Sequence, residues 1–135
     1  MSETDGDRVD YAALADFRHA LRHFLLFSEL RAAEHGLTAR QHQALLAIRG
    51  APTPHVTVGY VADRLVIKPH SASGLIARLE VLDLIARTPS PTDGRQAQVT
   101  LTARARNLLE RLSATHREEL RRLRPLFTAL LTRLD

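Results

Sequence analysis

The chain has 135 residues, with 19 lysines and arginines against 15 aspartates and glutamates, a formal net charge of +4, a pI near 10.6 and no cysteine. That length fits one domain with a substantial core, the lack of cysteine excludes disulfides, thiolate metal sites and thiol redox switches, and the basic balance favours an anionic partner. No run approaches a membrane span and the N-terminus lacks a signal-peptide layout, so a cytoplasmic chain with no membrane partner is expected.

The first sixteen residues are acidic, carrying Glu3, Asp5, Asp7, Asp10 and Asp16 against Arg8. Tyr11, Leu14, Phe17, Leu21, Phe24, Leu25 and Ser28 then recur at helical spacing, and Gly36 is placed to close this first helix in a left-handed cap. Thr38 and Gln41 form a capping box ahead of Leu45, Leu46 and Ile48, with Gly50-Ala-Pro52 as the stop of a second helix.

Thr57 can cap a short third helix with Val58, Val61, Ala62 and Leu65 on one stripe, and Pro69 suits the first turn of a fourth. Ala72, Leu75, Ile76, Leu79 and Leu82 give that fourth helix an apolar inner face. Its other face is small and polar, with His70, Ser73, Gly74, Ala77 and Val81 flanked by Ser71 and Arg78. A glycine inside a helix costs about 1 kcal/mol against alanine. Taken alone, Gly74 is explained equally well by crowding against a neighbouring helix or by close approach of an outside partner.

Two β-like runs follow, 84–88 and 96–101, separated by a proline-rich segment with an Asp-Gly pair and Arg95. A lone two-stranded ribbon is marginal in water, so something outside the chain is expected to use it. Val56 to Arg106 holds seven cations (Arg64, Lys68, Arg78, Arg87, Arg95, Arg104, Arg106) against four anions, and this excess surrounds the hairpin. Thr102 can cap a last helical stretch carrying Ala105, Leu108, Leu109, Leu112, Leu120 and Leu123, which Pro125 is expected to split. Both chain ends are thus helical and leucine-rich, and are candidates for a dimer interface.

The order helix, short helix, turn, polar-faced helix and hairpin describes a mainly α fold with a small β-hairpin, a winged helix-turn-helix. The fourth helix would enter the major groove and the hairpin, as the wing, would carry Arg95 to the minor groove. The runs Thr57-Val-Gly-Tyr-Val-Ala-Asp-Arg-Leu65 and His70-Ser-Ala-Ser-Gly-Leu-Ile-Ala-Arg-Leu-Glu80, then Leu84-Ile-Ala-Arg87, Asp93-Gly-Arg95 and Leu101-Thr102, resemble the MarR family of bacterial transcriptional regulators.

The resemblance implies one MarR-like domain over residues 1–135, with a DNA-binding lobe at 37–101 and dimerisation helices at 9–36 and 102–135. It implies a homodimer on a pseudo-palindromic double-stranded DNA operator, usually a repressor, often released by a small aromatic or phenolic effector. Carried over, it makes His70, Ser71, Ser73 and Gly74 base readers, Arg78 a reader or phosphate clamp, and Arg95 the wing-tip contact, with Asp93 shaping the wing. Thr57 and Lys68 complete the expected DNA contacts. Effector binding is expected beside the first, second and fifth helices, at Phe17, His19, Leu21, His23 and His42. The chain departs from the family in having Asp83 where glycine is usual and Tyr60 where a polar residue is common.

Catalysis is not expected, because the sequence has no phosphate-cradling glycine loop, no His-Glu-x-x-His and no nucleophile elbow. A winged helix used only for protein docking is the main rival, since a fold does not dictate a function. His19 and His23 at i and i+4, joined by His42 or His116, raise a metal-responsive alternative. The favoured reading is a solvated or pocket-lining pair, with no metal and no cofactor.

Overall fold

Capping side chains start four of the five helices. In a computed structural model describing residues 9–89 and 97–134, the Asp10 carboxylate accepts from the Ala13 N–H at 2.9 Å and opens α1 (Tyr11–Glu34). The capping box forms as expected: Thr38 Oγ1 accepts from Gln41 N–H at 3.1 Å, Gln41 Oε1 accepts from Thr38 N–H at 2.9 Å, and α2 (Ala39–Arg49) follows. Thr57 caps α3 (Val58–Leu65) through the Tyr60 N–H. Pro69 opens α4 (Pro69–Val81), whose N-cap, Lys68, makes no side-chain capping bond.

Strands β1 (Ile85–Pro89) and β2 (Ala97–Leu101) pair antiparallel, from Ile85 opposite Leu101 to Pro89 opposite Ala97. Val56 adds a short third edge by accepting from the Val99 N–H at 2.8 Å. Thr102 then caps α5 (Ala103–Arg133). Among the described residues no helix is long and apolar enough to cross a membrane.

The core joins Leu45 of α2, Val61 of α3, Ile76 and Leu79 of α4, Leu84, Val99 of β2 and Leu112 of α5. On the inner face of α4, Ala72, Ile76 and Leu79 are fully buried, while Leu82 caps the helix end and is 37% exposed. The two long helices run antiparallel: Asp10 meets Arg133, the Phe17 and Phe127 rings stand edge to face at 5.5 Å, and Ser28 meets His116.

Pro125 does not split the last helix, which continues from Ala103 to Arg133. Proline deprives the Arg121 carbonyl of its helical partner. Both residues are exposed, so water can satisfy that carbonyl. Leu123 and Leu130, buried on either side of the proline, hold both halves of the helix against α1.

Gly36 adopts the expected left-handed conformation, with φ 78°, and Asp83 does so where the family has glycine, with φ 59°. Val66, between α3 and α4, is also left-handed, with φ 56°. The sequence carries no sign of this, since β-branched residues are strongly disfavoured there.

Candidate nucleic-acid interface

With its inner face sunk in the core, α4 presents His70, Ser71, Ser73, Gly74, Ala77 and Arg78 to solvent. A Cβ placed on Gly74 would meet no heavy atom within 4 Å. Crowding inside the molecule therefore does not explain this glycine. The small, polar face is open to an outside partner, and Lys68 is exposed at its N-terminal end.

The hairpin is fastened to the same helix. Arg87 of β1 donates through Nε to Glu80 of α4 at 2.6 Å in a half-buried ion pair. Thr102, besides capping α5, donates its hydroxyl to the Asp83 carbonyl at 2.8 Å, fixing the left-handed turn between α4 and β1. Arg104 donates to the Leu82 carbonyl at 3.0 Å and Arg106 to the Leu101 carbonyl at 3.3 Å.

These bonds sort the cations that the sequence could only count. Arg87, Arg104 and Arg106 hold the wing and the turn to the body. Arg64, Lys68 and Arg78 have no ion-pair partner among the described residues. The Thr57 hydroxyl is engaged in capping α3. Asp93 and Arg95, expected at the wing tip, lie outside the described residues.

The five expected effector residues do not gather in one cleft. His19 and His23 meet at 4.5 Å between ring centroids and line a cavity of about 620 Å³ between α1 and α5, with Phe27, Glu119 and Arg122 on its walls. Phe17 packs on Phe127, and Leu21 is exposed. His42 is only 2% exposed and lies 5.0 Å from the His116 ring, at the junction of α1, α2 and α5.

His116 was singled out in the sequence only as a spare metal ligand. Its Nδ1 lies 2.6 Å from the Leu112 carbonyl, which can only accept, so Nδ1 carries a proton. In the neutral ring Nε2 then accepts from the Ser28 hydroxyl at 2.8 Å. Burial and, second, the His116 charge push the His42 imidazole down to about 4. Among the described residues no three His, Asp or Glu side chains converge on a metal site.

An exposed helix with a small polar face, a hairpin fastened beside it and two long bracketing helices define a winged helix-turn-helix fold. Residues 35–96 match the model of the MarR family.

Solved structures carry the same fold across the bracketing helices as well. A MepR variant from S. aureus bound to an oligodeoxyribonucleotide is 20% identical, with 95% of this chain and 100% of that one covered at a TM-score of 0.70. YusO from Bacillus subtilis is 21% identical, with 93% and 95% covered at 0.67. CouR from Rhodococcus jostii, bound to p-coumaroyl-CoA, is 23% identical, with 78% and 73% covered at 0.68. None of the curated proteins matches the chain.

Proposed function

We infer that the chain is a sequence-specific, homodimeric transcriptional regulator that acts on a pseudo-palindromic operator, as a repressor that releases DNA when a small aromatic or phenolic molecule binds. The observation that carries the reading is the outer face of α4, where exposed His70, Ser73 and Gly74 meet no internal packing need. His70 and Ser73 are the base readers, and Lys68 and Arg78 supply positive charge beside them. Arg95 is the wing contact.

Homodimerisation is supported by leucines left in solvent on both long helices: Leu14, Leu25, Leu26 and Leu30 on α1, and Leu120, Leu126 and Leu131 on α5. Effector control is supported by the cavity beside His19 and His23, whose walls mix apolar and charged groups. Any ligand there releases DNA only through different affinities for the DNA-competent and incompetent shapes.

Sequencing the genomic fragments that the purified protein retains, followed by footprinting, tests the reading. Protected half-sites about one DNA turn apart, roughly 34–36 Å, are expected. Arg95→Ala should weaken binding to all sequences and flatten the slope of log affinity against log salt by about 1 per subunit, whereas Ser73→Ala should relax base preference at defined positions. Retention of unrelated fragments with no common site would reject sequence-specific regulation in favour of a docking module.

A further inference from the structure

Beside the exposed face of α4 runs a groove of about 280 Å³, walled by the start of α2 and the flank of α4. Arg40 and Thr38 lie on its α2 side, and Ser71, Gly74 and Arg78, at i, i+3 and i+7, form its α4 side over Leu75. We propose that Arg40 and Arg78 form a two-arginine clamp for one backbone phosphate of the bound DNA strand, and that Gly74 lets the sugar-phosphate chain come close to α4 at that point. This rests on the DNA-binding reading and adds Arg40, on a different helix, to the expected contacts.

The charge of the groove is one-sided. No carboxylate lines it, and neither arginine has an ion-pair partner among the described residues. The Thr38 and Gln41 side chains are already engaged with one another's backbone in the capping box. Those two side chains only accept there, so the Thr38 hydroxyl and the Gln41 amide keep donor hydrogens beside the two guanidiniums and the Ser71 hydroxyl, all donors suited to phosphate oxygens.

Position decides between a base and a phosphate. A helix inserted in the major groove meets base edges with its outermost residues, while its flanks face the strands that wall the groove. The clamp lies on such a flank, between α4 and α2. Arg78 thereby becomes a phosphate contact rather than a reader, and His70 and Ser73 retain the base-facing positions. Gly74 borders the groove with open space around it, so the room it leaves is available to the DNA backbone.

The test measures affinity for cognate and scrambled duplexes across a salt series, with thermal unfolding of each variant. Arg40→Ala should weaken both duplexes alike and flatten the log affinity against log salt slope by about 0.9 per subunit, the yield of one phosphate. Arg40→Lys should keep the slope. Gly74→Ala should melt no lower than the wild type and bind both duplexes on the order of tenfold more weakly.

An unchanged slope for Arg40→Ala while the wild type binds DNA normally would overturn the clamp and leave the DNA-binding reading standing. A loss confined to the cognate duplex would also overturn it, making Arg40 a base reader. Should the alanine variant melt early, Arg40→Gln, which keeps most of the side-chain length without the charge, decides by the same slope. A wild type that binds neither duplex overturns both readings together.

Discussion

At the scale of single residues, two side chains occupy states that cost stability. Val66 is held left-handed while 89% exposed, a conformation that costs a residue with a Cβ roughly 1–2 kcal/mol. Val66→Gly removes that strain and loses little packing, but loosens the unfolded chain. A net gain of about 0.5–1 kcal/mol is expected in denaturant unfolding. His42 is the second. Its imidazole titrates near 4 in the folded protein against 6.5 ordinarily, so the unfolded chain binds more protons between those values. Its contribution is fully present above pH 6.5 and is lost as the pH falls through 4. Roughly 3 kcal/mol is at stake. Urea unfolding at a series of pH values should show this decline in the wild type and a flatter profile in His42→Phe.

At the scale of elements, the legible features were those with local causes. The Thr38–Gln41 box, the Thr57 and Thr102 caps and Pro69 at the first turn of α4 each act within a few residues of where they are written. Pro125 misled because its local effect is outweighed by contacts with α1, which lies about a hundred residues away in the chain. An exposed interior proline still costs up to about 3 kcal/mol. Pro125→Ala, which restores the N–H to the Arg121 carbonyl, is therefore expected to stabilise the protein by about 1–3 kcal/mol, read as a higher thermal midpoint. No rise in the midpoint would mean that the helix is already bent to suit the proline.

At the scale of the whole molecule, the exposed leucines of α1 and α5 are the feature a single chain leaves unburied. Apolar stripes of this kind mark interaction surfaces. On the proposed homodimer, replacing Leu26 and Leu30 together by glutamate should halve the mass measured by light scattering. It should also weaken operator binding far more than binding to a single half-site, because two recognition helices then no longer act as one ligand. An unchanged two-chain mass would place the proposed interface elsewhere, and a wild type of single-chain mass would reject the dimer. Apolar residues at helical spacing marked these helices from the start, but not which leucines would find a partner within the chain.

The sequence by itself determined the first four helices, the start of the fifth, the hairpin strands and the helix-turn-helix order, because caps, turns and periodicity act over short stretches of chain. It also marked the exposed face of α4, since a helix with one apolar stripe leaves its other side to solvent. Only the tertiary structure decided which cations are free. Arg87, Arg104 and Arg106 are engaged by Glu80, the Leu82 carbonyl and the Leu101 carbonyl, and Arg40 of α2 and Arg78 of α4 come to line one groove. Only the tertiary structure separated His42 from His19 and set it against His116. These outcomes depend on groups distant in sequence being brought within a few ångströms by the packing of the core, and a linear pattern of residue types does not encode which distant groups will meet.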